Sequence, residues 1–154
     1  MERYFRTKEG ELVNIVDHTL EQIEKFPHLK IYVGTDSQDR GVDTYYVTVV
    51  VYRYGRRGVH FVYLKDNVTR HRDFSQFTRL YDEGVRTLAT ADILTTDLPV
   101  AIEALEFDYA DIAKTLSSKL VGAFKGYPNA QFKSGEMMAT KAADHVLRHP
   151  NLYK

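Results

Sequence analysis

The chain contains no cysteine among its 154 residues, which excludes disulfide bonds and zinc sites built from thiolates. This absence fits a protein of the reducing cytosol. No apolar run approaches the ~20 residues that a helix needs to cross a bilayer, and residues 1–6 lack the apolar core of a signal peptide. From these absences we expect a soluble, cytoplasmic protein that does not enter a membrane.

An excess of charge of either sign is also missing, because 21 Lys and Arg residues balance 21 Asp and Glu residues. Proteins that coat nucleic acid without specificity are usually basic, so the balance argues against that class. It does not argue against an enzyme whose acidic site lies inside a local basic rim. The sequence lacks internal repeats and linkers rich in Pro, Gly or Ser, so we predict one domain over 1–154. The oligomeric state is left open.

Apolar spacing predicts the order of helices and strands. Helices are predicted at 11–26, 75–93, 109–124 and 135–148. Strands are predicted at 30–36, 43–54, 59–64, 99–108 and 130–133, with a hairpin loop at 54–58 and a polar loop at 66–74. This order indicates an α/β fold. Its mixed five-stranded sheet combines an antiparallel hairpin with parallel strands and is flanked by helices, with a core at 30–148 and an extra N-terminal helix.

Acidic residues end two of the predicted buried strands, Asp36 after 30–35 and Asp108 after 99–107. In α/β sheets, ligands bind beyond the carboxyl ends of the parallel strands. Carboxylates are costly to desolvate, and two of them brought together favour a hard cation such as Mg²⁺. Glu106 shares a strand face with Asp108 and is an alternative ligand. A structural reading competes with each acid: Asp36 as a turn residue, and Asp108 as a helix cap.

The motif Gly34-Thr35-Asp36-Ser37 is followed by a hairpin, a helix, a strand that ends in Asp108 and a last helix that carries Asp144. This order is similar to the RNase H fold over nearly the whole of 30–148. Three segments resemble, more narrowly, the YkuK-type RNase H-like family of bacteria. They are residues 31–38, 79–83 and 141–145.

The resemblance implies a metal-dependent phosphodiesterase that uses Mg²⁺ or Mn²⁺ and acts on RNA, DNA or a hybrid of the two. Asp36 would bridge two metal ions, Asp108 would be a ligand from the fourth strand, and Asp144 would complete the second metal from the last helix. Glu83 would take the position of the RNase H glutamate. A solvated surface residue is the competing reading for both Asp144 and Glu83.

The resemblance also implies that Lys133, just before the last helix, contacts a phosphate or the leaving group. The chain departs from the family there, because Ser134 and Gly135 follow the lysine instead of a proline and an acid. Glu136 lies nearer the start of the helix and is an alternative to Asp144.

Arginines outside this set are candidates for contact with substrate. Arg56 and Arg57 lie at the predicted hairpin tip, and Arg72 lies in the polar loop; a solvated loop is the competing interpretation. His145 and His149 have the i,i+4 spacing of a zinc pair, but no third ligand is evident, so we interpret them as surface residues.

Three functions remain in competition. A nuclease of RNase H type accounts for the three aspartates. A non-catalytic module that binds nucleic acid or protein accounts for the neutral charge and the loose glutamate position. A hydrolase of small phosphorylated compounds is the third. Fold alone does not decide among them.

Overall fold

The computed structural model describes residues 3–109, 112–132 and 137–153. In chain order, these residues form strands β1 (Tyr4–Arg6) and β2 (Leu12–Asn14), helix α1 (Ile15–Lys25), strands β3 (Lys30–Arg40), β4 (Asp43–Arg53) and β5 (Val59–Thr69), helix α2 (Gln76–Asp97), strand β6 (Ala104–Glu106), helix α3 (Lys114–Phe124), strand β7 (Ala130–Gln131) and helix α4 (Met138–Arg148).

The strands of the described residues make one seven-stranded sheet in the order β2-β1-β5-β4-β3-β6-β7. Strands β3, β4 and β5 pair antiparallel, whereas β6 pairs parallel to both β3 and β7. The prediction of a mixed α/β sheet is therefore confirmed. None of the helices in the described ranges has the length and apolarity needed to cross a bilayer.

The predicted count of five strands is wrong, because β1 and β2 form a short extra hairpin before α1. Residues 12–14 belong to β2, so the helix predicted over 11–26 begins at Ile15 instead. Asn14 ends the strand and caps the helix: its Oδ1 accepts the N–H groups of Val16 at 3.0 Å and Asp17 at 3.2 Å. Strands of three residues are too short to show a strand period.

Two predicted strand ends are also wrong, since β3 continues past Asp36 to Arg40 and β5 continues past Leu64 to Thr69. The polar residues 37–40 pair in register with 43–46, which in turn pair with 66–69 of the predicted loop. Both extensions pair with β4, which satisfies their backbone N–H and C=O groups although their side chains are polar.

Three other elements are shorter than predicted, and α2 ends later than predicted. Strand β6 covers only 104–106 of the predicted 99–108, because it bonds to just three residues of β3. Helix α3 begins at Lys114 and not at 109, α4 begins at Met138 and not at 135, and α2 continues to Asp97.

Helices cover both faces of the sheet. Helices α1, α2 and α3 pack on one face with Ile31, Val33 and Val50, and α4 packs on the other with Tyr32 and Val49. Side chains alternate along a strand, so even-numbered residues of β3 face α4 and odd-numbered ones face α2. The alternation therefore determines whether each polar side chain of β3 faces α4 or α2.

Gly34 allows α4 to lie close to β3. A Cβ atom added at Gly34 would lie 2.9 Å from Thr140 Cγ2, 3.1 Å from Ala139 Cβ and 3.1 Å from the backbone nitrogen of Thr140. One of these neighbours is backbone, so the contact cannot relax by a rotamer change alone. The helix therefore approaches the strand at a distance that only glycine permits.

We predict that Gly34→Ala lowers the free energy of unfolding by about 1–3 kcal/mol, because the methyl group overpacks the contact between β3 and α4. The matched control is Gly122→Ala on the exposed surface of α3, where an added Cβ has no neighbour within 4 Å. That substitution should be neutral or stabilising, since alanine favours helix. Urea unfolding of both variants is the measurement. Equal stability of Gly34→Ala and wild type would contradict the close approach.

Candidate metal and catalytic site

Asp36 lies inside β3, opposite Val47 of β4, on the face that packs against α4. Its carboxylate is partly buried, and its Oδ1 accepts the backbone N–H of Ser37 at 2.9 Å. The prediction that Asp36 ends the strand is therefore wrong. The acid nevertheless lies at the point along β3 where buried residues are followed by exposed ones. Residues 31–35 before it are buried, whereas Gln38 and Asp39 after it are exposed.

Asp144 of α4 lies against Asp36. The two side chains share a hydrogen bond, and the charge of Asp144 acts on the Asp36 carboxyl group. The pKa of Asp36 is raised to about 6, mainly by burial and further by the negative charges of Asp144 and Asp108. Asp144 is also paired with Arg148 one turn later, Nε to Oδ2 at 2.9 Å. This ion pair is exposed, so its contribution to stability is small.

Asp108 lies two residues beyond β6 and is itself exposed, between the buried rings of Phe107 and Tyr109. The N-cap of α3 is Ala113, so Asp108 does not cap that helix. Its charge raises the pKa of both Asp36 and Glu83. The competing interpretation of Asp108 as a helix cap is therefore wrong.

Glu83 approaches the same point from α2, on the opposite face of the sheet. Its side chain is 5% exposed and accepts a short hydrogen bond from the Ser37 hydroxyl group. The pKa of Glu83 is raised to about 8, mainly by burial and further by the charges of Asp36 and Asp108, while Ser37 and Arg79 oppose the shift. Glu83 is therefore a desolvated acid and not a solvated surface residue.

The structure thus brings the four predicted carboxylates into one electrostatic cluster from four separate parts of the chain. Their oxygens do not converge, however: in the described residues no three Asp, Glu or His side chains are grouped as metal ligands. Glu83 is bonded to Ser37, and Asp144 is bonded to Arg148. The donor set is rich in the hard oxygen ligands that Mg²⁺ prefers, and these donors would have to exchange partners to bind it.

Glu106, the alternative to Asp108, has a structural role. Its side chain is 1% exposed and accepts the N–H groups of Met138 at 3.0 Å, Ala139 at 2.9 Å and Thr140 at 3.0 Å. It therefore caps the N-terminus of α4, where a negative charge is favoured. These bonds occupy both of its oxygens.

A chain of buried hydroxyl groups lies beside the acids on the α2 face, and the sequence analysis did not identify it. Thr35 Oγ1 lies 3.1 Å from Thr48 Oγ1, and Thr87 donates to Thr35 at 2.9 Å. Thr87 lies one helical turn from Glu83, and Thr35 lies two residues from Ser37. Two features of the sequence could have identified these hydroxyl groups. They are the alternation of side chains along β3 and the spacing of one helical turn between residues 83 and 87.

The remaining predicted site residues are scattered. Arg56 and Arg57 lie in an exposed 3-10 turn at the β4–β5 hairpin tip, and Arg72 lies exposed after β5, at the other end of the sheet. Lys133 and the alternative ligand Glu136 lie outside the described residues. His145 and His149 stack with ring centroids 4.3 Å apart, and Tyr153 bonds to His145.

A family model described as Ribonuclease H-like matches residues 12–146. The match includes every element that carries one of the four carboxylates. No curated protein and no solved structure matches the chain.

We predict that Asp36→Asn raises the melting temperature of the metal-free protein at pH 8. The carboxyl group has a pKa of about 6 in the folded state and an ordinary value of 3.8. The folded state therefore holds this proton more tightly, and the cost of ionisation grows as the pH rises from 3.8 through 6. At about 1.4 kcal/mol per pKa unit, the gain is on the order of 1–3 kcal/mol.

The gain should shrink towards zero at pH 4, where the acid is largely protonated in the folded protein. Thermal unfolding in EDTA at several pH values is the measurement. The matched control is Asp39→Asn on the same strand, whose carboxylate is paired with Arg70 and Arg79, each at 3.3 Å. It should give no gain. A loss of stability in Asp36→Asn at pH 8 would show that the acid is a structural residue.

Proposed function

The chain belongs to the ribonuclease H-like family, the YkuK-type family that its three motif segments resemble, and on that premise we propose that it is a divalent-metal-dependent nuclease. Its substrate would be a phosphodiester bond of RNA, DNA or a hybrid, and its metal Mg²⁺ or Mn²⁺. One observation carries the proposal: Asp36, Glu83, Asp108 and Asp144 act on one another electrostatically across both faces of the sheet.

The cost of that arrangement supports a cation site. An ionised carboxylate loses solvation when buried, and a second negative charge nearby adds to the cost. Asp36 and Glu83 bear both costs, yet neither has an ion pair of its own within the described residues. A divalent cation would remove the repulsion among all four acids. Such destabilising burial and repulsion of acids is expected at a site that binds a ligand.

The proposed roles follow from position. Asp36 is the acid whose charge is coupled to each of the other three, so it would be the central ligand of the ions. Asp108 faces solvent beside it. Bound ions would activate a water molecule and stabilise the leaving oxygen. The protein would hold its acids in place through Ser37, which bonds to Glu83, and through the tight packing of α4.

The proposal predicts saturable binding of Mn²⁺ to the wild-type protein and its loss in the Asp36→Asn/Asp108→Asn variant, measured by isothermal titration. The matched control is Asp17→Asn/Asp92→Asn, which removes the same charge from exposed positions on α1 and α2. It should bind like wild type. If the free protein binds no metal, the titration is repeated with a short RNA/DNA hybrid, because substrate phosphates complete many such sites.

Hydrolysis of labelled hybrid, RNA and DNA is then measured with Mn²⁺ and with Mg²⁺. Cleavage that is lost in Asp36→Asn/Asp108→Asn and retained in Asp17→Asn/Asp92→Asn supports the proposal. Absence of metal binding both with and without hybrid, together with absence of cleavage, rejects it.

A second candidate is a non-catalytic module that binds nucleic acid. It is favoured by the way the acids are engaged in the described residues, Glu83 by Ser37 and Asp144 by Arg148, without a converging group of three. Nucleic-acid binding that does not depend on metal and is never followed by cleavage would select it.

A further inference from the structure

A cavity of about 370 Å³ lies between the β4–β5 hairpin tip and the first turn of α4. We call it the hairpin cavity. Its walls include Arg53, Arg56 and Lys141, together with Met137 and Met138 at the start of α4. Every second residue of a strand points to the same face, and Val49 and Val51 pack on the α4 face. Arg53 therefore also points to the α4 face.

Among the residues that the structure describes, those lining the hairpin cavity carry charge of one sign. Arg53, Arg56 and Lys141 contribute three cationic side chains, and no acidic residue is among the described residues that line it. Arg56 and Lys141 are exposed. The nearby N-terminus of α4 does not attract an anion itself, because Glu106 already accepts its N–H groups. The attraction for an anion therefore comes from the exposed side chains of Arg56 and Lys141.

The hairpin cavity lies on the same face of the sheet as Asp36 and Asp144, and α4 connects them. The helix runs parallel to β3, since Thr140 meets Gly34 near its start and Leu147 bonds to Arg40 near its end. Lys141 precedes Asp144 by three residues, so the two side chains are neighbours on the helix surface. Along β4, the six residues from the level of Asp36 to Arg53 span about 20 Å.

We propose that the hairpin cavity binds backbone phosphates of the nucleic acid and that the strand runs from the carboxylates over Lys141 to Arg56. The distance of about 20 Å corresponds to roughly six base-pair steps along the axis of a duplex. This inference rests on the proposed function and adds the path and direction of the substrate. It gives Lys141 a positioning role and separates Arg56 from Arg57, which does not line the cavity.

Most cations at the opposite end of the sheet are bonded within the protein. Arg70 donates to the carbonyl oxygen of Asp43 at 2.6 Å and lies 3.3 Å from Asp39, and Arg79 also pairs with Asp39 at 3.3 Å. Both arginines fix the β3–β4 hairpin and the start of α2. Arg72 is exposed there. A cavity of about 210 Å³ at this end is lined by Arg40 and Lys65, whose cationic groups donate to the carbonyl oxygens of Leu147 and Tyr153. The path therefore leads towards the hairpin cavity.

The test measures fluorescence anisotropy of a labelled twelve-base-pair RNA/DNA hybrid and a labelled twelve-nucleotide RNA, in Ca²⁺ and over a range of salt concentrations. The variants are Arg56→Ala, Lys141→Ala and the double substitution. The matched controls are Arg57→Ala, one residue from Arg56, and Lys119→Ala, an exposed helix lysine on the opposite face of the sheet. Mn²⁺ titration of each variant without nucleic acid reports on the carboxylates separately.

We expect Arg56→Ala and Lys141→Ala each to weaken binding of the hybrid about three- to tenfold and to reduce the salt slope by about one. The controls should change binding less than twofold, and Mn²⁺ binding should not weaken in any variant. Unchanged affinity in the double variant, in a protein that still binds and cleaves hybrid, overturns the path while the nuclease proposal stands. If the wild-type protein binds neither Mn²⁺ nor either probe, both proposals fail.

Discussion

The contact between α4 and the centre of the sheet is the constraint on which the candidate site depends. Glu106 at the end of β6 accepts three N–H groups from the first turn of α4, and Gly34 leaves room for the helix to lie directly on β3. A buried carboxylate is tolerated there because the helix terminus supplies both hydrogen bonds and favourable charge. With the start of α4 fixed at Gly34, its second turn must pass over Asp36, and Asp144 reaches the cluster.

The same contact explains why two neighbouring acids of similar sequence context differ in role. Glu106 is buried and fully bonded, whereas Asp108 is exposed two residues later and its negative charge acts on Asp36 and Glu83. Glu106 stabilises the fold, whereas Asp108 adds to the repulsion between acids and so opposes folding. The oxygens of Glu106 are held by the helix N–H groups, whereas Asp36 and Glu83 bear the repulsion of neighbouring acids. This distinction favours Asp36, Glu83, Asp108 and Asp144 as the ligands.

The sequence predicted the mixed α/β architecture, because the long strands and helices repeat their apolar spacing many times. It predicted the family through the resemblance of segments 31–38, 79–83 and 141–145. It could not predict β1 and β2, whose three residues show no period, or the extension of β3 to Arg40, whose polar residues are held by backbone pairing to β4. For the site, the resemblance named the four carboxylates that the structure brings together. It could not choose between Asp108 and Glu106, since that choice depends on where the first turn of α4 lies.

The neutral composition conceals a separation of charge. Four acids are coupled by charge near the middle of the sheet, with Asp36 and Asp144 on the side that α4 covers. Arg56 and Lys141 lie on that side about 20 Å away, at the hairpin cavity. A nucleic-acid strand that placed one phosphate among the acids would meet repulsion unless a cation intervened, whereas its further phosphates would meet Arg56 and Lys141. Such a protein would bind its substrate productively only when metal is present, because the cationic end alone holds the strand and the acidic end rejects it. Net charge zero is therefore compatible with a nucleic-acid enzyme in which affinity and chemistry occupy separate places.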